Sequence, residues 1–502
     1  MIISSALLFL GGVYVLNTPF AQNVPAEETS AVVELKDGDT YTLTMAPVRK
    51  MIDGKEYDML AYNGSTPGPT LRVAKGARVT LILKNESDEE TTLHAHGVRM
   101  ENAFDGVPGV TQKVVEQGGE YRYELSFPDA GVFWYHPHVR TDEQLERGAY
   151  GAIIVTKGEI PANREEVLIV DDILIERGAL PPFGTDGPNY ALMGRFGTVM
   201  LVNGQTDWRM EAKQGDVVRF YLVNAANART FNLSIPRAKM KLVGADGGFY
   251  ERETFADDLL LSPGERATVD VLFDKAGSHT FTHTTPEKTY ALGGIAISDD
   301  AADPSYAQTF VQLGTHNLGV PDSVLASART RASDKTLLLG VDMGGHMMHG
   351  GMMMGGLPAM PAHAGQAGIE WEDDPPAGGG MMNAMSTKGM VEWQLIDAAT
   401  GKKNMDITWT FSRGSYQKIH IVNDDTGMHP MQHPIHFHGQ RFLVLSENGV
   451  PIDNLVWKDT VLVKAGEAVD ILLDTSNPGA WMAHCHILEH AEAGMMFSFK
   501  IE

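Results

Sequence analysis

The stretch AKGARVTLILKN, Ala74 to Asn85, places apolar residues on alternate positions between a glycine and an asparagine. Alternation of period two describes a strand with one buried face. The same frame returns as KQGDVVRFYLVN from Lys213 to Asn224 and as SRGSYQKIHIVN from Ser412 to Asn423, each Asn standing nine residues after its Gly. A second block also repeats: GGEYRYELSFPDAGVFWYHPH from Gly118, PGERATVDVLFDKAGSHTFTH from Pro263 and AGEAVDILLDTSNPGAWMAHCH from Ala465. Each reads as strand, turn, strand. Three spaced copies of the same strand pairs predict an all-β chain of three homologous β-sandwich domains.

Length agrees, because 502 residues exceed what one core holds, and 43% hydrophobic residues can fill several. The domains are expected at 27–158, 159–305 and 306–502, the last with an insert at 342–390. A formal net charge of -24 argues against nucleic acid and anionic membranes as partners. The single cysteine forbids an internal disulfide. Ile2 to Leu16 form an apolar run too short for a membrane span, broken by Asn17, Thr18 and Pro19. A signal peptide within 1–26, cleaved after Ala21 or Ala26, predicts export to a periplasmic or extracellular location. No Lys or Arg precedes the run, so an uncleaved anchor is the alternative.

The repeats locate the chemistry. His94 follows Asn85 by nine residues and opens HAHG; Asn423 leads to HPIHFHG, with His433, His436 and His438; the middle copy has FNLS there. Five residues after the turn glycine stand His136 in copy one and His484 in copy three, against Thr282 in the middle copy. Residues i and i+2 of a strand share a face, so each HxH aims two imidazoles at one point. There are four such pairs: His94/His96, His136/His138, His436/His438 and His484/His486. One pair alone is usually structural. Four at equivalent positions predict a metal site built by the outer domains against each other, with the middle domain as a spacer. Eight neutral imidazoles are costly to bury otherwise.

Cys485 lies between His484 and His486 and so faces the other side of its strand. There it can join His433, His490 and Met495. Two His, a thiolate and a weak Met form the trigonal blue-copper set, whereas zinc favours four strong ligands and rarely a thioether.

HAHG, HPH, HPIHFHG and HCHILEHAEAGM resemble the copper-binding motifs of three-domain multicopper oxidases, the laccases and copper efflux oxidases. The resemblance covers nearly the whole mature chain, including NGSTPGPTLRV near Asn63 and WKDTV at Trp457. It implies cupredoxin-like Greek-key sandwiches and four copper ions. Carried over by position, it implies His433, Cys485, His490 and Met495 as type 1 ligands and His94 and His436 as type 2 ligands. His96, His136, His138, His438, His484 and His486 match the type 3 pair. The implied reaction is four one-electron oxidations at type 1, electron transfer through Cys485, and reduction of O2 to two waters by a monomer.

Asp105 matches an acid that relatives place near the cluster; the plain reading is a turn carboxylate in FDGVPG. Many bacterial relatives carry an acid directly after the last motif histidine, where this chain has Ala491, so Glu489 and Glu492 become the candidates for a second proton donor. Eleven of 26 Met fall between residues 343 and 390, beside His346, His349 and His363. Thioethers favour Cu(I), and runs such as MMM among glycines lack the periodicity of packed elements. The expected substrate is therefore Cu(I) together with small aromatic reductants, with His429, Met431 and His346 as possible ligands to substrate copper. The alternative is a laccase acting on phenols, its insert incidental.

Overall fold

The computed structural model describes residues 24–184, 187–343, 368–372, 379–424 and 430–502. Most of the N-terminal apolar segment and most of the Met-rich insert, with His346, His349, His363 and His429, lie outside these residues. Six sheets pair into three sandwiches. The first joins a five-stranded sheet ending in Gly131–His136 and His94–His96 to a four-stranded sheet containing Arg78–Asn85 and Glu120–Ser126. The second joins six strands, including Val217–Asn224 and Arg266–Leu272, to five including Phe231–Ser234. The third sets Tyr416–Asn423 and Ala468–Asp474 in one sheet, with His433–Phe437 and Gly479–Cys485 in the facing sheet. Each sandwich has its own apolar core, around Leu81, Phe220 and Ile421 respectively.

The sequence repeats pair identically. Lys84 faces Glu120, Val223 faces Arg266 and Val422 faces Ala468, all antiparallel. The recurrent asparagine has a structural cause. Asn85, Asn224 and Asn423 are buried, and each Nδ2 donates to two carbonyls: Glu89 and Val115, Arg229 and Leu261, Met431 and Val463. Each carboxamide closes the loop that carries the chain into the next strand. In the outer sandwiches that strand holds the histidines. A helix here would leave the asparagine no such pair of acceptors, and burying it unbonded would cost about 1–3 kcal/mol.

Candidate metal centre

Register sets the histidines. His94 stands opposite His136 in the first sandwich, and His436 opposite His484 in the third. The two outer sandwiches therefore present one frame, and their junction brings the frames together. His96 stacks on His436 with ring centroids 3.7 Å apart, and His94 on His438 at 4.0 Å. His138 meets His484 at 5.3 Å, and His96 meets His486 at 5.0 Å. His138 is half-buried and the other seven are buried.

Hydrogen bonds decide which nitrogen each ring offers, since a neutral imidazole has one N–H and one lone pair. Nδ1 of His94, His136 and His484 donates to the carbonyls of Asp105, Pro137 and Cys485 at 2.7, 2.8 and 2.7 Å. Nδ1 of His436 donates to the Asp459 carbonyl at 2.9 Å, and Nδ1 of His438 to Asp105 Oδ2 at 3.0 Å. Each leaves Nε2 as the lone pair. His96 is reversed: its Nε2 donates to Asp459 Oδ1 at 3.0 Å. The nitrogens so freed on His94, His96, His136 and His436, with His138 Nε2 and both nitrogens of His486, are buried without a hydrogen-bond partner. His438 Nε2 and His484 Nε2 lie 3.0 Å apart, an arrangement that a shared cation reconciles.

Most of the rings are held toward the neutral form. Burial, and after it the neighbouring imidazoles, hold His96, His136, His138, His438 and His486 well below the ordinary histidine range. The same causes hold His484 at about 3. Donor atoms of His138, His438 and His484, and of His94, His96 and His136, lie within 4.8 Å of one another.

A second cluster lies on the far face of the HCH strand. Cys485 Sγ is 3.5 Å from His433 Nδ1 and 3.9 Å from His490 Nδ1, and those two nitrogens are 3.3 Å apart. Met495 is wholly buried, and its carbonyl accepts the Cys485 N–H at 3.0 Å. Burial pushes the Cys485 thiol up, so a cation is needed for the thiolate form. Trp393 roofs this cluster: its ring lies 4.2 Å from His490 and 4.8 Å from His433, and its Nε1 donates to the Ala191 carbonyl at 2.6 Å.

Of the expected acids, Asp105 is fully buried and bonded to His94 and His438 as above. Glu489 is buried, and its Oε1 accepts from Asn227 Nδ2 at 2.8 Å. Burial, with Asp142 second, pushes Glu489 up to about 8 and Glu492 up to about 7. Met431 is 2% exposed and packs in the apolar cluster that contains Cys485.

Three family profiles, each described as multicopper oxidase, match residues 44–159, 168–294 and 376–502. This chain belongs to the multicopper oxidases. It is 27% identical over 456 residues to "Multicopper oxidase mco" of Staphylococcus epidermidis, covering 88% of this chain and 83% of that protein. It is 24% identical to "Copper resistance protein A" of Escherichia coli, covering 93% of each. Its structure is similar to a multi-copper oxidase from Pseudomonas thermotolerans, with a TM-score of 0.69, 25% identity, and 94% and 100% of the two chains covered. A multicopper oxidase binds one type 1, one type 2 and two type 3 coppers and couples substrate oxidation to O2 reduction. The buried, partnerless imidazole nitrogens and the thiol between two histidines fit that cofactor.

One expectation is corrected. The middle sandwich contributes none of the eight histidines, yet it is no mere spacer: Arg266 and Gly264 of its PGER turn lie against the cluster. Sequence reading passed over these two and Asp459. The Asp459 signal was the WKDTV motif at Trp457.

Proposed function

We propose that this multicopper oxidase oxidises Cu(I), with activity on small aromatic reductants, and reduces O2 to water. The type 1 copper takes His433, Cys485, His490 and Met495; the type 2 copper takes His94 and His436. One type 3 copper takes His138, His438 and His484, and the other His96, His136 and His486. Bound copper supplies one-electron redox chemistry at the cysteine site and four-electron reduction of O2 at the eight-histidine site. The protein's own work is to keep these donors neutral, dry and oriented. Cys485 is covalently continuous with His484 and His486, so a few bonds of backbone separate the two sites. Asp105, bonded at once to His94 and His438, and Glu489, which burial keeps protonated near neutrality, are the proton-handling groups, with Glu492 behind them. All twelve ligands come from one chain, so a monomer suffices. The N-terminal apolar run supports export.

One observation carries the substrate assignment. The short helix Gly379–Met385 is clamped close to the type 1 site and turns thioethers to solvent. Asn383 Oδ1 accepts from the Met193 N–H at 2.9 Å, its Nδ2 donates to the Gly194 carbonyl at 2.9 Å, and Ser386 Oγ accepts from the Leu192 N–H at 3.0 Å. Leu192 and Met193 pack in the apolar cluster that holds Cys485. Met381 and Met385 are 72% and 62% exposed, and Met382 and Met390 are also exposed. Exposed thioethers cost solvation and gain no packing, but they bind soft Cu(I). Beneath them His433 and His490 are at most 1% exposed, which denies a bulky phenol the imidazole edge. Met431 is buried, and the exposed thioethers at 381, 382, 385 and 390 are the ligands that arriving copper meets first.

The test is steady-state O2 uptake with Cu(I) and with a phenol, on the copper-loaded protein and a variant carrying Met381→Leu, Met382→Leu, Met385→Leu and Met390→Leu. Cuprous kcat/KM should fall about tenfold, roughly 1.4 kcal/mol of transition-state stabilisation, with phenol oxidation within twofold of the parent. Unchanged cuprous oxidation would return the assignment to a laccase acting on phenols.

A further inference from the structure

The PGER turn of the middle sandwich touches the eight-histidine site twice. Gly264 has φ +81°, and a Cβ there would lie 2.7 Å from His486 Cδ2. Two residues on, Arg266 is fully buried. Its Nη1 donates to Asp459 Oδ1 at 2.6 Å and its Nη2 to Asp459 Oδ2 at 2.5 Å. Its Nε donates to the Val132 carbonyl at 3.0 Å, and Nη1 also donates to the Gly264 carbonyl at 2.9 Å. Asp246 Oδ1 stands 3.4 Å from Nη1. One guanidinium is thus fixed by a carbonyl of the first sandwich, two groups of the second and a carboxylate of the third. A rigid fork of this kind holds a carboxylate in plane as well as in place.

Asp459 passes the position on to one histidine of each outer sandwich. Its Oδ1 accepts from His96 Nε2 at 3.0 Å and lies 3.3 Å from His436 Nδ1, while its carbonyl accepts from His436 Nδ1 at 2.9 Å. A carboxylate only accepts, so the hydrogen of His96 must sit on Nε2, and Nδ1 becomes the buried lone pair. The HAHG motif makes room for this arrangement. Gly97 has φ +81°, and a Cβ there would press on Asp459 Oδ2 and lie 2.5 Å from Arg266 Nη2.

We infer that Arg266 is a positioning residue for the trinuclear copper site: its bidentate pair with Asp459 fixes His96 in the tautomer that offers Nδ1, opposite to the Nε2 offered by His94, His136, His436, His438 and His484. The middle domain thereby sets the geometry of a site to which it gives no ligand. Without the guanidinium Oδ2 loses its partner, Asp459 is held only at Oδ1 by the Thr460 hydroxyl and the two histidines, and its charge stays buried without a counter-ion. The acceptors of His96 Nε2, Asp459 Oδ1 and Thr460 Oγ1, are then no longer anchored by the fork, and a weakened orienting partner of this kind costs about 10–100-fold in metal binding.

This inference rests on the ligand assignment proposed above, and the experiment separates the two. Parent, Arg266→Met and Arg266→Lys proteins are prepared as full chains. The copper-free forms, labelled with nitrogen-15 histidine, report the His96 tautomer by long-range nitrogen–proton correlation, with His96→Gln for assignment. The copper-loaded forms are dialysed against graded chelator, and copper per chain is read beside the blue absorption of the Cys485 site. Arg266→Met should keep the blue absorption, lose the single Nε2–H signature of His96, and surrender trinuclear copper at about 10–100-fold lower chelator strength. Arg266→Lys keeps the charge without the fork and should fall between. Parent-like tautomer and copper retention in Arg266→Met overturns the inference. Should that variant not fold, the same result in Arg266→Lys overturns it. A parent that binds fewer than four coppers overturns the ligand assignment and this inference with it.

Discussion

Loading Cu(I) into the copper-free protein should release far fewer protons than ten histidine ligands ordinarily would. The perturbation is anaerobic titration of the Cys485→Ser variant with Cu(I) at pH 6, so that no thiol proton enters the count and no oxidation accompanies loading. At pH 6 an ordinary imidazole, with a pKa near 6.5, is roughly three-quarters protonated, so ten of them would release about eight protons. In this fold six cannot contribute. Burial comes first among the causes, and neighbouring imidazoles follow, in holding His96, His136, His138, His438 and His486 well below that value and His484 at about 3. The sign follows from the charged form being the one that burial disfavours: a lowered pKa means a neutral ring at pH 6, and a neutral ring has no proton for the metal to displace. The other four ligand histidines set the ceiling at four protons, and burial lowers His436 among them as well. Release is counted by pH-stat in weakly buffered solution. Five or more protons per chain would refute the claim that the folded site presents its ligands already deprotonated, and copper affinity would then fall steeply between pH 7 and 6.

Two further outcomes are expected. Cys485→Ser should abolish the blue absorption and nearly all oxidase activity while the eight-histidine site still takes copper; a variant that stays blue refutes the role of Cys485. Trp393→Leu removes the ring stacked on His490 and the donor to the Ala191 carbonyl, so it should destabilise the protein by about 2–4 kcal/mol in denaturant unfolding. The same variant should raise phenol kcat/KM at least several-fold, and an unchanged phenol rate would show that Trp393 does not limit access to the type 1 site.

What the sequence made legible was local. Alternation between Gly76 and Asn85 names a strand, and HxH names a face, because both depend only on backbone periods. The repeat then carried the reading across domains: His94 opposite His136 and His436 opposite His484 are one register printed twice. The tautomers were not legible. Whether His96 offers Nδ1 depends on Asp459, which lies 363 residues away along the chain, and whether Asp459 holds its plane depends on Arg266 in a third domain. No spacing rule links such residues. The roof of the type 1 site was likewise hidden, because Trp393 follows the Met-rich insert with no motif around it.

The departure at residue 491 gains a physical reading from the same packing. Ala491 is 8% exposed, so no large acid is accommodated there without rearrangement. Two residues earlier, Glu489 is held by Asn227 of the middle sandwich, whose Nδ2 donates both to Glu489 Oε1 and to the Asp142 carbonyl, each at 2.8 Å. That bridge ties the last helix, Leu488–Glu492, to the helix Thr141–Glu146 of the first sandwich. Burial, and then the Asp142 charge, favour the neutral acid at residue 489, and neither cause involves a group at 491. The middle sandwich therefore acts at both sites by one principle. It supplies a buried polar group, Arg266 at the cluster and Asn227 at the acid, that holds a neighbour's carboxylate in place, while the outer sandwiches supply the ligands. A domain that gives no copper ligand thus lies between two that do, and it is the third body that holds the orientation of their histidines.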